Sequence, residues 1–289
     1  ILRAIGAFAF SLIITYELVY HTTIINLNPI QLVTLGVILE CMTVLFEIPT
    51  GLVADQYSRR LSVIVGIALI GGGFLVEGLF ATLVGALLAQ VVWGIGFTFY
   101  SGAADAWLAD EVEEDLANQG YLKGAQLSQI MRLFGVAAGA FLVTFGLKWP
   151  IIIGALINLG LTLYLMLKMT EEGFNPLAIE TQQSLWEKML LPFKEAFVQL
   201  KIRPVLSFIL VIGFVIGLSV GGFDRLNVAH IFENFNLPDL GSLDPVAWFS
   251  IISGIVAILS IIGAEIVRRN FESPNKKDRK STRLNSSHD

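Results

Sequence analysis

The stretch EIPTGLVADQYSRR, residues 47–60, decides the fold, because it ends a long apolar run with a glycine, an acid and a pair of arginines. An apolar run of this length predicts a membrane-spanning helix, since a hydrocarbon core of about 30 Å needs about 20 apolar residues. Gly51 is expected to let a neighbouring helix approach closely. Asp55 is expected where the helix meets water, and Arg59 and Arg60 are expected to keep the following loop on the cytoplasmic side.

The rest of the chain is similarly apolar. Of its 289 residues, 55% are hydrophobic and 15% are charged, and the mean hydropathy is +0.72, which excludes an ordinary soluble domain of this size. Apolar runs long enough to span a bilayer recur between clusters of glycine, proline or charge. We therefore predict an all-α polytopic membrane protein whose eight spanning helices lie near residues 1–20, 30–53, 61–80, 83–109, 124–147, 150–169, 204–223 and 246–267.

The placement of basic residues predicts the orientation of these helices. Topology follows the positions of Lys and Arg rather than the net charge, which is −5 here. Most of the basic residues share the side of the loop with Arg59 and Arg60, whereas the other side has Lys148 and Arg225. We expect that loop and the start of the chain to be cytoplasmic, with the protein in a bacterial-type inner membrane.

The residue inventory also narrows the kinds of site to expect. The single Cys41, inside the second predicted helix, excludes an intramolecular disulfide and any metal cluster built from cysteines. The histidines, which we place in loops or in the terminal tail, lack metal-ligand spacing: His21, His230 and His288. No basic patch interleaved with aromatic residues points to nucleic acid. We expect no cofactor and no metal.

The predicted helices divide the chain into parts. Residues 1–169 are expected to form an N-terminal bundle of six helices, and residues 204–270 the first two helices of a second bundle. Between them, residues 170–203 form a cytoplasmic linker with an amphipathic helix, which we expect either at the membrane surface or on a partner protein. The abruptly polar residues 271–289 are a tail, of which 278–289 looks artefactual. The chain starts without Met, and we interpret it as a fragment.

Two carboxyls in the second helix are candidates for chemistry, because a charged group inside a bilayer costs about 2.5 to 3.5 kcal/mol. Glu40 and Glu47 are seven residues apart and Gly51 follows four residues later, so the three share one stripe of the helix. Glu40 lies near the middle of the membrane, where it would line a substrate cavity or carry a proton, or else simply bond to a neighbouring helix. Glu47, nearer the cytoplasm, is a weaker candidate of the same kind.

Further ionisable residues call for partners. Asp105 in helix 4 and Arg132 in helix 5 should lie at similar depth if these helices are antiparallel neighbours, so we predict an ion pair, with a gating or proton-coupling role as the alternative. Glu17, near the outer end of helix 1, is a weaker cavity candidate. Glu77, near the outer end of helix 3, is explained by snorkelling to water.

The spacing Gly51, Asp55, Arg59 and Arg60 resembles the signature loop between helices 2 and 3 of major facilitator superfamily transporters, although Gln56 and Ser58 depart from that pattern. The same run, together with WGIG at 93–96 and DAW at 105–107, resembles the tetracycline-exporter and macrolide-exporter branch. Two departures weaken the match to that branch. Gln90 stands where helix 4 usually has an arginine, and the glycine motif at 135–139 lacks its proline.

The resemblance implies a monomeric secondary transporter of twelve helices, of which this chain would hold about eight. It further implies export of a small amphipathic compound against inward proton flow, by rocking of two six-helix halves. The loop with Asp55 would steady one access state by facing a helix of the second half. Uptake or lipid flipping by the same fold stays open. The rival class is an integral-membrane lipid enzyme, but no nucleophile, acid and base pair or metal cluster is visible.

Overall fold

The computed structural model describes residues 1–112, 114–174, 198–235, 248–249, 251–260 and 262–263, and these residues form helices and connections without a strand. Seven helices are long and apolar enough to cross a membrane. They are α1 Leu2–Thr23, α2 Pro29–Gln56, α3 Arg59–Leu79, α4 Leu83–Glu111, α5 Glu114–Val143, α6 Lys148–Lys168 and α7 Pro204–Asn234. A shorter apolar helix, α8, covers Ile251–Ser260.

Seven of the predicted spans are thus confirmed, with shifts at their ends. The largest shift is in α7, which continues to Asn234 although the apolar run suggested an end near residue 223. Of the eighth span, 246–267, only α8 and a few flanking residues are described. Most of the amphipathic linker helix, at 175–197, and the polar tail lie outside the described residues, so those predictions stay untested.

Side-chain caps fix where three of the helices begin. Asn28 and Gln31 form a reciprocal capping box at the start of α2, and Thr82 accepts from the Gly85 amide at the start of α4. Ser58 caps α3 by accepting a 2.9 Å hydrogen bond from the Leu61 amide. The serine that departs from the expected loop pattern therefore has a structural role, since it caps α3 with only two residues between the two helices.

The first six helices pack around α1 and α3. Helix α3 lies against α4 and α6, α1 lies against α5 and α6, and α2 lies against α4, whereas α4 and α5 barely touch. At the end of the bundle that carries Arg59 and Arg60, here called the arginine end, α3, α4 and α6 bury a cluster that includes Val63, Ala103 and Leu165. Helix α7 is largely exposed, and its contacts with the other described helices centre on Val228 and Ala229.

Glycines permit two close helix crossings. At the α3–α4 crossing, a Cβ on Gly66 would lie 2.8 Å from the Gly96 carbonyl oxygen, and a Cβ on Gly96 would lie 2.8 Å from the Gly66 carbonyl oxygen. At the α1–α5 crossing, a Cβ on Gly135 would lie 2.5 Å from the Phe8 carbonyl oxygen. The glycine motif of α5 at 135–139 therefore serves close helix packing.

No described helix makes such an approach at Gly51, so the same role predicted there stays a prediction. A Cβ at Gly51 would meet no described atom within 4 Å, and the glycines of α7 at 213, 217 and 221 are equally open. The reason is that the face of α2 with Gly51, Glu47 and Glu40 points away from α3 and α4. That face has no helix from the described residues packed on it.

Candidate functional site

A cavity of about 460 Å³ opens into the middle of the bundle. Its walls come from α1, α3, α4, α5 and α6, and it lies in the half of the bundle nearer the arginine end, because it takes in Leu2 and Arg3 from the first turn of α1. Aromatic side chains form much of its wall, and three charged side chains reach it. The aromatic and charged residues of its lining are Arg3, Phe10, Trp93, Phe97, Tyr100, Asp105 and Arg132.

An ion pair crosses one side of this cavity, and it is not the predicted one. Asp105 pairs with Arg3 of α1, and the predicted pair with Arg132 is wrong. The physical reason is packing, because α5 lies against α1 and has little contact with α4. The Arg3 guanidinium also lies over the Tyr121 ring at 5.2 Å, and the Tyr121 hydroxyl donates to the Asp105 carbonyl oxygen at 2.7 Å.

A double-mutant cycle distinguishes the two pairings. We expect Arg3→Ala and Asp105→Ala to be coupled by about 0.5 to 1 kcal/mol, since their side chains are 31% and 58% exposed and solvent screens the pair. Arg132→Ala and Asp105→Ala should be additive within about 0.5 kcal/mol. The measurement is thermal unfolding of the four variants of each cycle in one detergent. Coupling in the second cycle and additivity in the first would restore the predicted pair.

Arg132 has no acidic partner within the residues the structure describes. It lies in the middle of the apolar part of α5, Gly120–Val143, and its exposed side chain lines the cavity. Its backbone carbonyl accepts a hydrogen bond from the Ser11 hydroxyl at 3.1 Å, so the helix is held close to α1 at this depth. A guanidinium at this depth is the kind of group that marks a binding path.

A second polar group is buried toward the opposite end of the bundle. His21 Nε2 lies 2.8 Å from Glu77 Oε1, and both side chains are fully buried. Gln90 Nε2 donates to Glu17 Oε1 at 2.8 Å. The ligand atoms of Glu17, His21 and Glu77 all lie within 4.8 Å of one another, and we call these three residues with Gln90 the buried cluster.

The buried cluster corrects two predictions from the sequence. His21 is not in a loop, because α1 continues to Thr23 and carries His21 inward in its last turn. Glu77 does not reach water by snorkelling, because its side chain is 0% exposed and faces His21. The sequence did hold a signal, since Glu17 and His21 are four residues apart and therefore share a helix face. Gln90, which replaces the usual arginine, is the residue that bonds to Glu17.

The donor set of one imidazole and two carboxylates fits either a divalent metal ion or a shared proton. Two ligands of one metal, each about 2.0 to 2.2 Å from the ion, lie about 3 Å or more apart. The 2.8 Å contact between His21 Nε2 and Glu77 Oε1 is shorter and is an ion-pair distance, although the two atoms are not aligned as a hydrogen bond. Around this contact, the Tyr20 hydroxyl donates to the Glu77 carbonyl oxygen at 3.2 Å, and Arg225 of α7 acts electrostatically on His21 and Glu77.

The loop between α2 and α3 is bonded to two other helices. Arg59 pairs with Asp110 and donates to the Ala106 carbonyl oxygen at 2.9 Å, so it holds the end of α4. Arg60 donates at 2.7 Å to the carbonyl oxygens of Met166 and Met169, at the end of α6. The bonds of Arg60 satisfy carbonyls that the end of α6 leaves free.

Acidic side chains complete this network of bonds at the arginine end. Glu171 accepts from the Ser58 hydroxyl at 2.6 Å and from the Arg60 amide at 2.8 Å. Asp55 lies 3.6 Å from Arg59, one helical turn away. Glu111 accepts from the amides of Glu172 and Gly173 at 2.7 and 2.9 Å. The network ties α2, α3, α4 and α6 together at one corner.

The remaining predicted site residues lie apart from both groups. Glu40 and Glu47 are exposed on the open face of α2 and do not line the cavity. They share one stripe of α2 with Gly51, and the described residues bring no basic side chain within ion-pair distance of Glu40. Their assignment to a substrate or proton pathway stays a prediction.

Comparison with known proteins agrees with this architecture. The sequence profile of the Major Facilitator Superfamily matches residues 1–283. The MFS-type transporter YxaM of Bacillus subtilis is 24% identical over 139 residues, which are 47% of this chain and 34% of YxaM. The crystal structure of a mutant of the nucleoside transporter NupG superposes with a TM-score of 0.71 at 14% identity, covering 92% of this chain.

The chain spans less than two thirds of either protein, since the NupG match covers 65% of that structure and the YxaM match 34% of that sequence. The fold is nevertheless shared across almost all of this chain. The family profile takes in nearly the whole sequence, including all seven long apolar helices. The chain is an integral, multi-pass membrane protein that belongs to the Major Facilitator Superfamily, a family of transporters and not of enzymes.

Proposed function

We propose that the complete transporter to which this chain belongs is a proton-coupled secondary transporter that exports a small amphipathic compound. The observation that carries this proposal is the cavity of about 460 Å³, which is of the size that holds a small organic molecule. Its aromatic wall suits an apolar body, and Arg3, Asp105 and Arg132 supply polar contacts. Its position near the arginine end would let a compound enter from the cytoplasm if that end is cytoplasmic.

This proposal includes an orientation and a division of the chain. The arginine end would face the cytoplasm of a bacterial-type inner membrane, as the distribution of Lys and Arg favours. Residues 1–169 would form one half of the transporter, 170–203 the linker, and 204–270 the start of the second half. Asp55, Arg59 and Arg60 would form the conformational gate, with their network steadying one access state.

The buried cluster is our candidate for the site that carries the coupling proton. Glu17 and Glu77 together contribute a charge of −2 and Arg225 contributes +1, so one proton on His21 brings the sum to zero. Burial makes any other net charge of these four side chains energetically unfavourable, because an unpaired charge in a low dielectric is strongly destabilising. Glu40 stays a second candidate. Glu40 lies in a spanning helix but is exposed. Its protonation would therefore not be linked to a change in helix packing.

A second candidate function is uptake by the same fold. The solved structure with TM-score 0.71 is that of a nucleoside transporter, so the fold also serves solutes that are not drugs. The cavity is compatible with either direction, because a site near the arginine end can load or release there. The compartment in which a solute accumulates under a pH gradient distinguishes the two directions.

The test is transport by the complete chain in proteoliposomes loaded with the pH dye pyranine. Ethidium, 2-naphthoate and uridine serve as cationic, anionic and neutral probes. Export coupled to inward protons is antiport, so a transported probe should accumulate in the acidic compartment. Uptake coupled to protons is symport, so the probe should accumulate in the alkaline compartment. Failure of all three probes to move, or movement without any pyranine response, would contradict proton-coupled transport through this cavity.

A further inference from the structure

The charges that line the cavity do not balance. The ionisable side chains among its lining residues are Arg3, Arg132 and Asp105, which sum to +2 − 1 = +1. Arg3 and Asp105 pair with each other. The remaining charge belongs to Arg132, for which the described part of the chain offers no carboxylate within ion-pair distance.

Arg132 lies deep in the membrane, where an uncompensated positive charge is costly. Its position is close to the centre of the apolar part of α5, where a cation costs about 2.5 to 3.5 kcal/mol if nothing compensates it. The side chain does not reach water at a helix end, because about eleven residues of the candidate span Gly120–Val143 lie on either side. The guanidinium of Arg132 lines the cavity, where a bound molecule can contact it.

The walls near this cation are aromatic. The rings of Phe10 and Trp93 lie 6.2 Å apart, centroid to centroid, and Phe97 and Tyr100 follow along the same side of α4. Phe10 and Phe97 are 37% and 42% exposed, so their rings present free apolar surface. Flat aromatic molecules pack well on such rings.

We propose that the cavity binds a small aromatic organic anion, with its carboxylate or sulfonate on Arg132 and its ring against Phe10, Trp93 and Phe97. This substrate class rests on the proposed transport function and narrows it. A guanidinium is suited to the role, because its planar fork donates two parallel hydrogen bonds to a carboxylate. The anion would neutralise the cavity, whereas a cationic compound would raise its charge to +2.

Binding by the chain itself tests the proposal. The protein is placed in lipid nanodiscs and titrated calorimetrically with 2-naphthoate, with its neutral amide 2-naphthamide, and with 2-naphthylmethylammonium, after subtraction of empty nanodiscs. We expect the anion to bind about tenfold more tightly than the neutral amide, or better, because a charged hydrogen bond replaces a neutral one. The cation should bind more weakly than either.

The variants assign the preference to one side chain. Arg132→Gln should remove the difference between naphthoate and naphthamide, and Arg132→Lys should keep part of it, since the charge remains and the fork is lost. Lys148→Gln is the matched control, because Lys148 is an exposed cation at the start of α6, outside the cavity. Gel filtration and a melting curve confirm that each variant is folded.

Three results would overturn the proposal: equal binding of naphthoate and naphthamide to the unchanged chain, no binding of either, or an anion preference that survives Arg132→Gln. Each of these results is a binding measurement and does not depend on whether the protein transports. Anion binding lost with Arg132, but without proton-coupled flux in proteoliposomes, would leave the substrate class standing and contradict the proposed function. Proton-coupled flux of ethidium alone would support the proposed function and contradict the anionic substrate class.

Discussion

Replacing Gly66 with leucine is expected to prevent α3 and α4 from packing, and with them the whole bundle. The first added atom already lies 2.8 Å from the Gly96 carbonyl oxygen and 2.8 Å from the Tyr100 amide nitrogen. Both are backbone atoms, so no side chain can turn away to make room. Overpacking a core costs about 1 to 3 kcal/mol where neighbours can adjust, and more where they cannot.

The measurement is the fraction of protein that elutes as a single gel-filtration peak after extraction in mild detergent, followed by its melting curve. We expect Gly66→Leu to lose most of that peak. Gly72→Leu is the matched control, because Gly72 lies on the same helix and a Cβ there would meet nothing within 4 Å. Equal behaviour of the two variants would show that the α3–α4 crossing is not as close as the structure has it.

Neutralising the contact between His21 and Glu77 is expected to have the largest effect on coupling. A single replacement, Glu77→Gln or His21→Gln, leaves the partner buried without its counter-charge, which costs about 3 to 5 kcal/mol. The double variant removes both and should fold better than either single one. In the complete transporter, we expect the double variant to lose accumulation of solute driven by a pH gradient.

Exchange of labelled for unlabelled solute at equal pH needs no proton, and it should survive in the same double variant. The two assays together separate loss of coupling from loss of the protein. Glu172→Gln is the control for removal of an acid, since Glu172 is exposed beyond the end of α6. Glu40→Gln tests the rival carboxyl. If the double variant still accumulates solute against its gradient and Glu40→Gln does not, the coupling proton belongs on α2.

The positions of the helices could be predicted from the sequence because hydropathy reports directly on spans. A run of about 20 apolar residues has few alternatives to a membrane helix. The end of α1 was missed because three further residues, His21 among them, continue the helix after the apolar run ends. A hydropathy profile scores His21 as a polar residue outside the span, although in the structure His21 is buried against Glu77.

The pairing of side chains could not be predicted in the same way. Asp105 and Arg132 stand on helices that are consecutive in the chain, and consecutive helices are often neighbours. Here α5 crosses to α1 instead, because Gly135 lets the two backbones approach. The cation that pairs with Asp105 is instead Arg3, which α1 brings from the start of the chain.

The bonds of Arg59 and Arg60 have a mechanical consequence. They join the short connection after α2 to the ends of α4 and α6, and both of those helices contribute residues to the cavity wall, such as Trp93 and Asn158. A force applied to the connection is therefore not absorbed by a flexible loop. It acts as torque on α4 and α6, so pressure on this corner can alter the shape of the cavity.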